Sequence, residues 1–356
     1  MTDPHPGDHH KGLDADAVTR WLLDHVADLE APLTYDLVAA GGSNLTFRVE
    51  DANGRAVALR RPPVAAVLAT AHDMDREWRI ISALSKTDVP VPDPLAQCDD
   101  PGVTGAPFYV MQFVDGRILR TEADGAELDT RAAQAATDSL VNVQVAFHAL
   151  DVDEVGLGDL AKHRTGYAER QLRRWQTQVE RARVRELPAL DALHAALAGS
   201  VPGETGRPGL VHGDYRFDNV VLDDGARVAA VLDWELATIG DAVADACWSL
   251  LYWADPGDPL PFLTSSPTLA EVFARREKVA RLYEDRSGRP LDALGWYTVF
   301  GYWKMACIVE GVYARRLKGA TGGAVAGDAA SIAARVDALL EQAGDVASDL
   351  GWGTLS

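Results

Sequence analysis

The stretch LVHGDYRFDN occupies residues 210–219, and VAAVLDW follows at residues 228–234. Between them, the turn residues at 223–225 predict a hairpin. The first stretch contains the pattern H-x-D-x-x-x-x-N, and Asp233 follows Asn219 by about fourteen residues. Because a hairpin returns the chain on itself, Asn219 and Asp233 can converge on one metal ion.

These residue types fit the requirements of phosphoryl transfer. One carboxylate must orient a hydroxyl group and accept its proton, while a carboxamide and a second carboxylate hold Mg²⁺ against nucleotide phosphates. A structural turn at residues 212–214 is the alternative interpretation. The presence of Asn219 and Asp233 in register argues against that alternative.

The N-terminal part of the chain contains a second set of candidate residues. Its predicted strand–loop–strand carries Gly41-Gly42-Ser43, whose backbone N–H groups can close over phosphates, although a plain hairpin turn has the same pattern. Arg60 lies on the next predicted strand, and Glu77 lies on the apolar face of a helix predicted at 71–85. A carboxylate on an apolar face requires a buried partner, for which Arg60 is the natural candidate.

The pattern changes from strands to helices after Gly116. We therefore expect an α+β protein with a small β-rich N-terminal lobe at residues 1–113 and a larger helical C-terminal lobe at residues 114–356. Residues 319–327 are predicted to form a flexible connection. Helices of the second lobe are predicted at 129–149, 166–187, 188–199, 242–253, 269–287, 293–317 and 329–348.

The 356 residues include 34 Lys and Arg against 53 Asp and Glu, and the net charge is -19. Such an acidic chain repels phosphate backbones and anionic lipid, which excludes nucleic acid and membrane surfaces as default partners. No apolar run reaches transmembrane length, and the polar first residues lack a signal-peptide core. Because its cysteines are few and widely spaced, the chain is expected to be cytoplasmic. It is expected to be a monomer or a homodimer.

Four segments resemble the aminoglycoside phosphotransferase and choline kinase-like family, and specifically its subgroup associated with acyl-CoA dehydrogenases. The segments are GGSNLTFRVE at 41–50, GYAERQLRRW at 166–175, LVHGDYRFDNVVLDD at 210–224 and AAVLDWELATIGDAVADACW at 229–248. The resemblance covers roughly residues 15–350. It implies a bilobal protein kinase-like fold and ATP- and Mg²⁺-dependent phosphorylation of a small-molecule hydroxyl group.

The resemblance also implies a role for each matching residue. Asp214 corresponds to the catalytic base and His212 to a residue that supports its loop, while Asn219 and Asp233 correspond to Mg²⁺ ligands. The implied nucleotide-binding residues are Gly42, Ser43 and Asn44 over the phosphates, Arg60 in place of a phosphate-binding lysine, Glu77 as its ion-pair partner, and Met111, Gln112 and Phe113 as a hinge whose backbone meets adenine.

Two departures from protein kinases stand out. Arg60 occupies a lysine position, as in choline kinase-like relatives, so it is not interpreted as a loss of activity. Asp233 is followed by Trp234-Glu235 rather than Phe-Gly. The second difference disfavours a flipping switch and predicts a permanently assembled site.

The identity of the acceptor stays open at this level. Subgroup resemblance favours a hydroxyacyl substrate, free or as a coenzyme A thioester, and the alternatives are an aminoglycoside or a nucleotide-binding regulator without catalysis. The arginines at residues 170–174, beside Trp175, form either a solvated helix face or a site for an anionic acceptor. Asp241 and Asp245 could be catalytic, but both are interpreted as structural, as caps and loop-tying carboxylates behind the site.

Overall fold

The computed structural model describes residues 13–40, 44–63, 67–204, 206–258, 265–319 and 327–353. The chain divides into two compact units. The first consists of residues 1–116 together with 229–235, and the second consists of residues 117–228 together with 236–356. The segment 229–235, which carries Asp233, therefore belongs to the N-terminal unit.

Among its described residues, the first unit contains an antiparallel sheet and three α-helices. The strands are β1 Thr34–Ala40, β2 Leu45–Glu50, β3 Ala56–Arg61, β4 Pro94–Cys98 and β5 Phe108–Gln112, and the helices are α1 Ala15–His25, α2 Val67–Leu84 and α3 Pro101–Thr104. The five strands follow the order β1-β2-β3-β5-β4. The central strand β3 places Arg60 opposite Thr46 of β2 and Tyr109 of β5.

Alternating apolar residues explain how this sheet forms its core. Phe47 and Val49 of β2 and Leu59 of β3 are fully buried and pack in one cluster with Leu22 of α1. Residues two apart on a strand share a face, so these side chains cover one side of the sheet. Asp14 begins α1 by accepting a hydrogen bond from the Ala17 backbone N–H at 3.0 Å.

The second unit is mainly helical. In chain order, its elements are α4 Glu122–Ala126, α5 Thr130–Ala149, α6 Tyr167–Ala182, α7 Pro188–Gly199, β6 Gly209–Val211, β7 Val220–Leu222, β9 Thr238–Gly240, α8 Ala242–Tyr252, α9 Arg276–Ser287, α10 Leu294–Leu317 and α11 Ala329–Asp349. The strand β8 Val228–Val231 lies between β7 and β9 in the chain, and all but its first residue belong to the first unit. No helix in the described ranges is long and apolar enough to cross a membrane. The α+β class predicted from the sequence is confirmed.

Two short strands position the segment 210–219, which carries the pattern H-x-D-x-x-x-x-N. β6 pairs antiparallel with β9, so Gly209 lies opposite Gly240 and Val211 opposite Thr238. In this antiparallel register the residues after β6 lie next to those before β9, and α8 begins beside the start of β6. Asp241 caps α8 through the Val243 backbone N–H at 2.9 Å, as the sequence predicted.

One predicted helix begins later than expected. The periodic pattern indicated a helix over 269–287, but α9 begins at Arg276 and a 3₁₀ turn occupies Pro267–Leu269. Phe273 instead packs against the rings of Phe217 and Trp253, with centroids 5.4 and 5.7 Å away. These aromatic contacts are long-range, so local periodicity could not indicate them.

Candidate active site

Asp245 of α8 holds the loop that follows β6. Its carboxylate accepts hydrogen bonds from the backbone N–H groups of His212 at 3.1 Å and Gly213 at 2.8 Å, and it contacts His148 Nε2 at 3.1 Å. Burial would raise the pKa of Asp245, but the hydrogen bonds and the neighbouring histidines hold it below its ordinary value. Asp245 is thus the loop-tying carboxylate that the sequence analysis expected.

Asp214 follows directly on this anchored loop. Its backbone N–H donates to Nδ1 of the buried His212 at 3.3 Å, so His212 contacts the backbone of this loop. The Asp214 side chain is 22% exposed, so a substrate can reach the carboxylate while its backbone stays fixed. Gly213 has φ +83°, a conformation that favours glycine at this sharp bend.

Asn219 is hydrogen-bonded to Asp214. Its Nδ2 donates to the Asp214 backbone oxygen at 2.8 Å and to Asp214 Oδ2 at 2.9 Å. This orientation directs the amide nitrogen at the carboxylate and leaves the Asn219 carbonyl oxygen without a donor among the described residues. An oxygen free to act as a ligand is what Mg²⁺ requires of this residue.

Arg216 is a residue of this loop that the sequence analysis did not single out. Its Nε lies 3.4 Å from Asp214 Oδ2, and its Nη1 lies 3.3 Å from Asp218 Oδ2. The guanidinium also stacks over the Tyr252 ring, 4.7 Å from the centroid. The signal available in the sequence was the pair of carboxylates two residues to either side of it.

In the first unit, Arg60 lies at the centre of an acidic cluster. Its Nε is 2.9 Å from Glu77 Oε2, its Nη2 is paired with Asp233, and Glu235 Oε2 lies 4.0 Å away. The ion pair that the sequence predicted between Arg60 and Glu77 is therefore present. Asp233 and Glu235 bring two further carboxylates to the same guanidinium.

Glu77 is the deepest member of this cluster, with a residue exposure of 0%. It accepts a second hydrogen bond from the Trp234 backbone N–H at 3.1 Å. Burial raises the pKa of Glu77 to about 7, even though the Arg60 charge opposes the shift. Burial would lower the pKa of Arg60, but the surrounding carboxylates raise it, so Arg60 stays protonated.

Asn44 and Glu235 form a contact that sequence reasoning missed. Asn44 is buried, and its Nδ2 donates to Glu235 Oε2 at 2.9 Å. Glu235 was noted only as a departure from the kinase pattern, and no local signal pairs it with a residue 191 positions away. The predicted phosphate-covering residues Gly42 and Ser43 lie outside the described residues.

The predicted hinge lies at the end of β5. Met111 is buried and faces Ala58 of β3 and Pro94 of β4 across the sheet. The backbone N–H of Gln112 donates to the Asp93 carbonyl at 2.8 Å, so that donor is already occupied. Phe113 follows the strand, with the Arg48 guanidinium 5.2 Å from its ring centroid.

Each unit supplies only some of the oxygen ligands that a divalent cation needs. Asp233 and Asn219 both offer oxygen ligands, which are the ligands that Mg²⁺ prefers. Within the described ranges, no group of three or more His, Cys, Asp or Glu residues forms a metal site by itself. A Mg²⁺ held by the residues of one unit would therefore depend on water or nucleotide phosphates for its remaining ligands.

Comparison with protein families gives one match over most of the chain. A family model described as the phosphotransferase enzyme family matches residues 34–291. Acyl-CoA dehydrogenase family member 11 of Rattus norvegicus is 33% identical over 87% of this chain. The probable acyl-CoA dehydrogenase IBR3 of Arabidopsis thaliana is 31% identical over 86% of it. The chain spans 40% of the length of each of these two relatives.

Solved structures agree with the fold. A candidate aminoglycoside phosphotransferase from Ralstonia eutropha JMP134 superposes with a TM-score of 0.80 and 29% identity, covering 94% of this chain and 98% of that one. The streptomycin–ATP complex of APH(2″)-IIa superposes with a TM-score of 0.60 and 16% identity, over 84% of this chain and 90% of that one. The protein kinase-like fold predicted from the motifs is thereby confirmed.

Proposed function

The chain belongs to the phosphotransferase enzyme family, and on that premise we propose that it transfers the γ-phosphoryl group of ATP to a hydroxyl group of a small molecule. The observation that carries this proposal is the bonded pair of Asp214 and Asn219 on the loop after β6. The pair joins an accessible carboxylate to an amide oxygen that is free to bind a metal, which are two of the groups the reaction needs.

Asp214 acts as the general base in this proposal. Its carboxylate orients the acceptor hydroxyl and accepts the proton as the new oxygen–phosphorus bond forms. The bond between the γ-phosphorus and its bridging oxygen breaks, and ADP leaves with that electron pair. Asn219 and Arg216 hold the Asp214 carboxylate in place from two sides.

The remaining residues handle nucleotide charge. Asn219 and Asp233 would hold Mg²⁺, which when bound neutralises charge on the phosphates. Arg60, oriented by Glu77, supplies a fixed guanidinium for the same purpose, and preorganised charge of this kind is a large contributor to catalysis. Gly42, Ser43 and Asn44 would cover the phosphates, and the backbone at 111–113 would meet the adenine.

We favour a hydroxyacyl acceptor, free or as a coenzyme A thioester. The support is the similarity to acyl-CoA dehydrogenase family members, together with basic groups in the second unit that form no ion pair with any described residue. An aminoglycoside is the alternative, supported by solved relatives that bind such compounds. Aminoglycosides are polycations, so the Arg216 guanidinium, 3.4 Å from the Asp214 carboxylate, disfavours them electrostatically.

The test compares Asp214→Asn with Asp224→Asn, an exposed aspartate of the following hairpin. ADP release and ³¹P NMR of the product are followed with hydroxy acids, hydroxyacyl-CoAs, aminoglycosides and choline-like alcohols. We expect Asp214→Asn to lose at least ~10²-fold in kcat and Asp224→Asn to match wild type. Near-normal turnover of Asp214→Asn contradicts the proposal. Tight ATP binding without turnover of any acceptor favours a non-catalytic regulator.

A further inference from the structure

Lys304 of α10 lies between two indole rings. Its Nζ is 3.4 Å from the Trp248 ring centroid and 5.6 Å from that of Trp175. Within the described part of the chain, Lys304 forms no ion pair and no hydrogen bond. A partly buried ammonium group that stacks on two indole rings retains its capacity to donate three hydrogen bonds.

Other donors near Lys304, or on the helix that carries Trp175, also have no acceptor among the described residues. The Arg174 guanidinium lies 5.7 Å from the Trp175 ring, and Arg170 precedes it by one turn of α6. Arg170 Nη1 and both indole Nε1 atoms, of Trp175 and Trp248, are buried without a hydrogen-bond partner among the described residues. Leaving a buried donor without an acceptor destabilises the fold, so a ligand with acceptor oxygens would stabilise this group.

This group borders the catalytic loop. The pKa of Lys304 is lowered to about 7 by burial, while Asp214 and Asp245 oppose the shift and Arg174 adds to it. Contacts also link Lys304 to Asp214 through Trp248, Tyr252 and Arg216, whose Nε lies 3.4 Å from Asp214 Oδ2. The Trp248 ring also contacts the Tyr252 ring edge-on, with the centroids 5.6 Å apart. The Arg216 guanidinium lies over this Tyr252 ring.

These observations define what we call the Lys304 subsite, consisting of Lys304, Arg170, Arg174, Trp175 and Trp248. We propose that the Lys304 subsite binds the carboxylate of a hydroxy-acid acceptor, so that the acceptor hydroxyl is presented to Asp214. The part about the hydroxyl rests on the proposed function. The binding of a carboxylate by the Lys304 subsite is inferred only from the geometry of the second unit.

The chemistry of the donors points to a carboxylate. Ammonium and guanidinium groups form strong, short hydrogen bonds to carboxylate oxygens, and two indole N–H groups add directional donors. The cations that would repel an ammonium-bearing acceptor attract an anionic one. Inorganic phosphate has similar oxygens, so it is included as a separate arm of the test.

A purely structural role is the competing explanation. A lysine stacked on an indole contributes a cation–π interaction whether or not it binds a ligand. Such a role would lower the thermal unfolding temperature of a variant, without changing the discrimination between an acid and its amide. The test therefore measures that discrimination directly.

The experiment uses the full chain and follows tryptophan fluorescence and heat of binding without ATP. Probes are straight-chain carboxylates from acetate to octanoate, their primary amides, and inorganic phosphate. We expect Lys304→Met to weaken carboxylate binding by ~10-fold or more, the loss of one charge-assisted hydrogen bond. Lys318→Met, in an exposed lysine just after α10, is the matched control and should bind like wild type.

Arg174→Gln is the second variant, because this exposed side chain can be changed without disturbing the core. We expect it to weaken carboxylate binding and leave amide binding unchanged. Equal binding of acids and amides, or carboxylate binding by Lys304→Met that equals wild type, overturns the inference. Phosphate binding that is tighter than carboxylate binding also overturns the assignment of a carboxylate.

Steady-state kinetics separate this inference from the proposed function. With an active hydroxy acid, Lys304→Met should raise the acceptor KM more than it lowers kcat. If no acceptor is phosphorylated but carboxylates still bind through Lys304, the proposed function fails and the subsite stands. If phosphorylation is normal and Lys304 is dispensable for acid binding, the subsite fails and the proposed function stands.

Discussion

Arg60 is one guanidinium that faces three carboxylates. Glu77 and Asp233 are in direct contact with it, and Glu235 lies 4.0 Å away. A planar guanidinium with five donors can meet several carboxylates at once, which a compact ammonium cannot do. The excess of negative charge explains why burial can raise the pKa of Glu77 despite its cationic partner.

The raised pKa of Glu77 predicts a pH-dependent stability. A carboxyl group whose pKa in the folded state, about 7, exceeds the ordinary 4.5 stabilises the fold below pH 4.5. That contribution is lost as the pH rises through 7. In protein free of nucleotide and metal, the stability of wild type relative to Glu77→Gln should therefore fall between pH 5 and 8, as measured by urea unfolding.

Glu30→Gln provides the control, because Glu30 is an exposed glutamate of the same unit. Its stability relative to wild type should not change with pH in this window. A stability difference between wild type and Glu77→Gln that stays constant from pH 5 to 8 would show that Glu77 does not titrate there.

The close approach of β9 to α6 joins two elements of the second unit. A Cβ atom on Gly240 would lie 2.6 Å from Tyr167 Cδ2 and 2.7 Å from Cε2, so only glycine fits beside this ring. Tyr167 is the first residue of α6, which carries Arg170 and Arg174. The strand that pairs with β6 thereby also helps to position the helix of the Lys304 subsite.

We expect Gly240→Ala to destabilise the protein by about 1–3 kcal/mol, because the Tyr167 ring must move. The displacement of α6 should also weaken carboxylate binding. Urea unfolding and the fluorescence titration measure the two effects. Gly199→Ala is the matched control, since a Cβ there would meet nothing within 4 Å. Equal stability of Gly240→Ala and Gly199→Ala would contradict this account of the contact.

At the scale of elements, local periodicity predicted most helices but failed where distant aromatic rings decide. Apolar spacing correctly indicated α5 and α10, because these long helices carry their apolar faces in their own sequences. The residues before α9 carry the same type of pattern, but Phe273 packs against Phe217 instead of extending the helix. The brief strand β9 lacked a local signal and forms only because β6 pairs with it.

At the scale of the whole molecule, a net charge of -19 coexists with local cationic sites. Arg60 in the first unit and Lys304 in the second lie close to the groups that the proposal assigns to nucleotide and acceptor. Bulk charge therefore sets which macromolecules are repelled, while a few placed cations determine which small anions can bind.

Mg²⁺ and ATP together should stabilise the native chain. A ligand that binds only the folded state at 100 times its Kd adds about 2.7 kcal/mol, so the thermal unfolding temperature should rise. Excess EDTA should remove most of the increase. Asp233→Asn should show little Mg²⁺-dependent increase, whereas Asp224→Asn should respond like wild type. An equal increase in Asp233→Asn would remove Asp233 from the metal site.

The sequence alone determined the fold class and the candidate catalytic set, because the spacing of Asp214 and Asn219 and the apolar face around Glu77 are local patterns. Only the tertiary structure decided which distant charges meet. The contact of Asn44 with Glu235 and the position of Lys304 between two indoles join residues far apart in the chain. Such contacts depend on how whole elements pack, and the sequence around Asn44 or Lys304 does not indicate them.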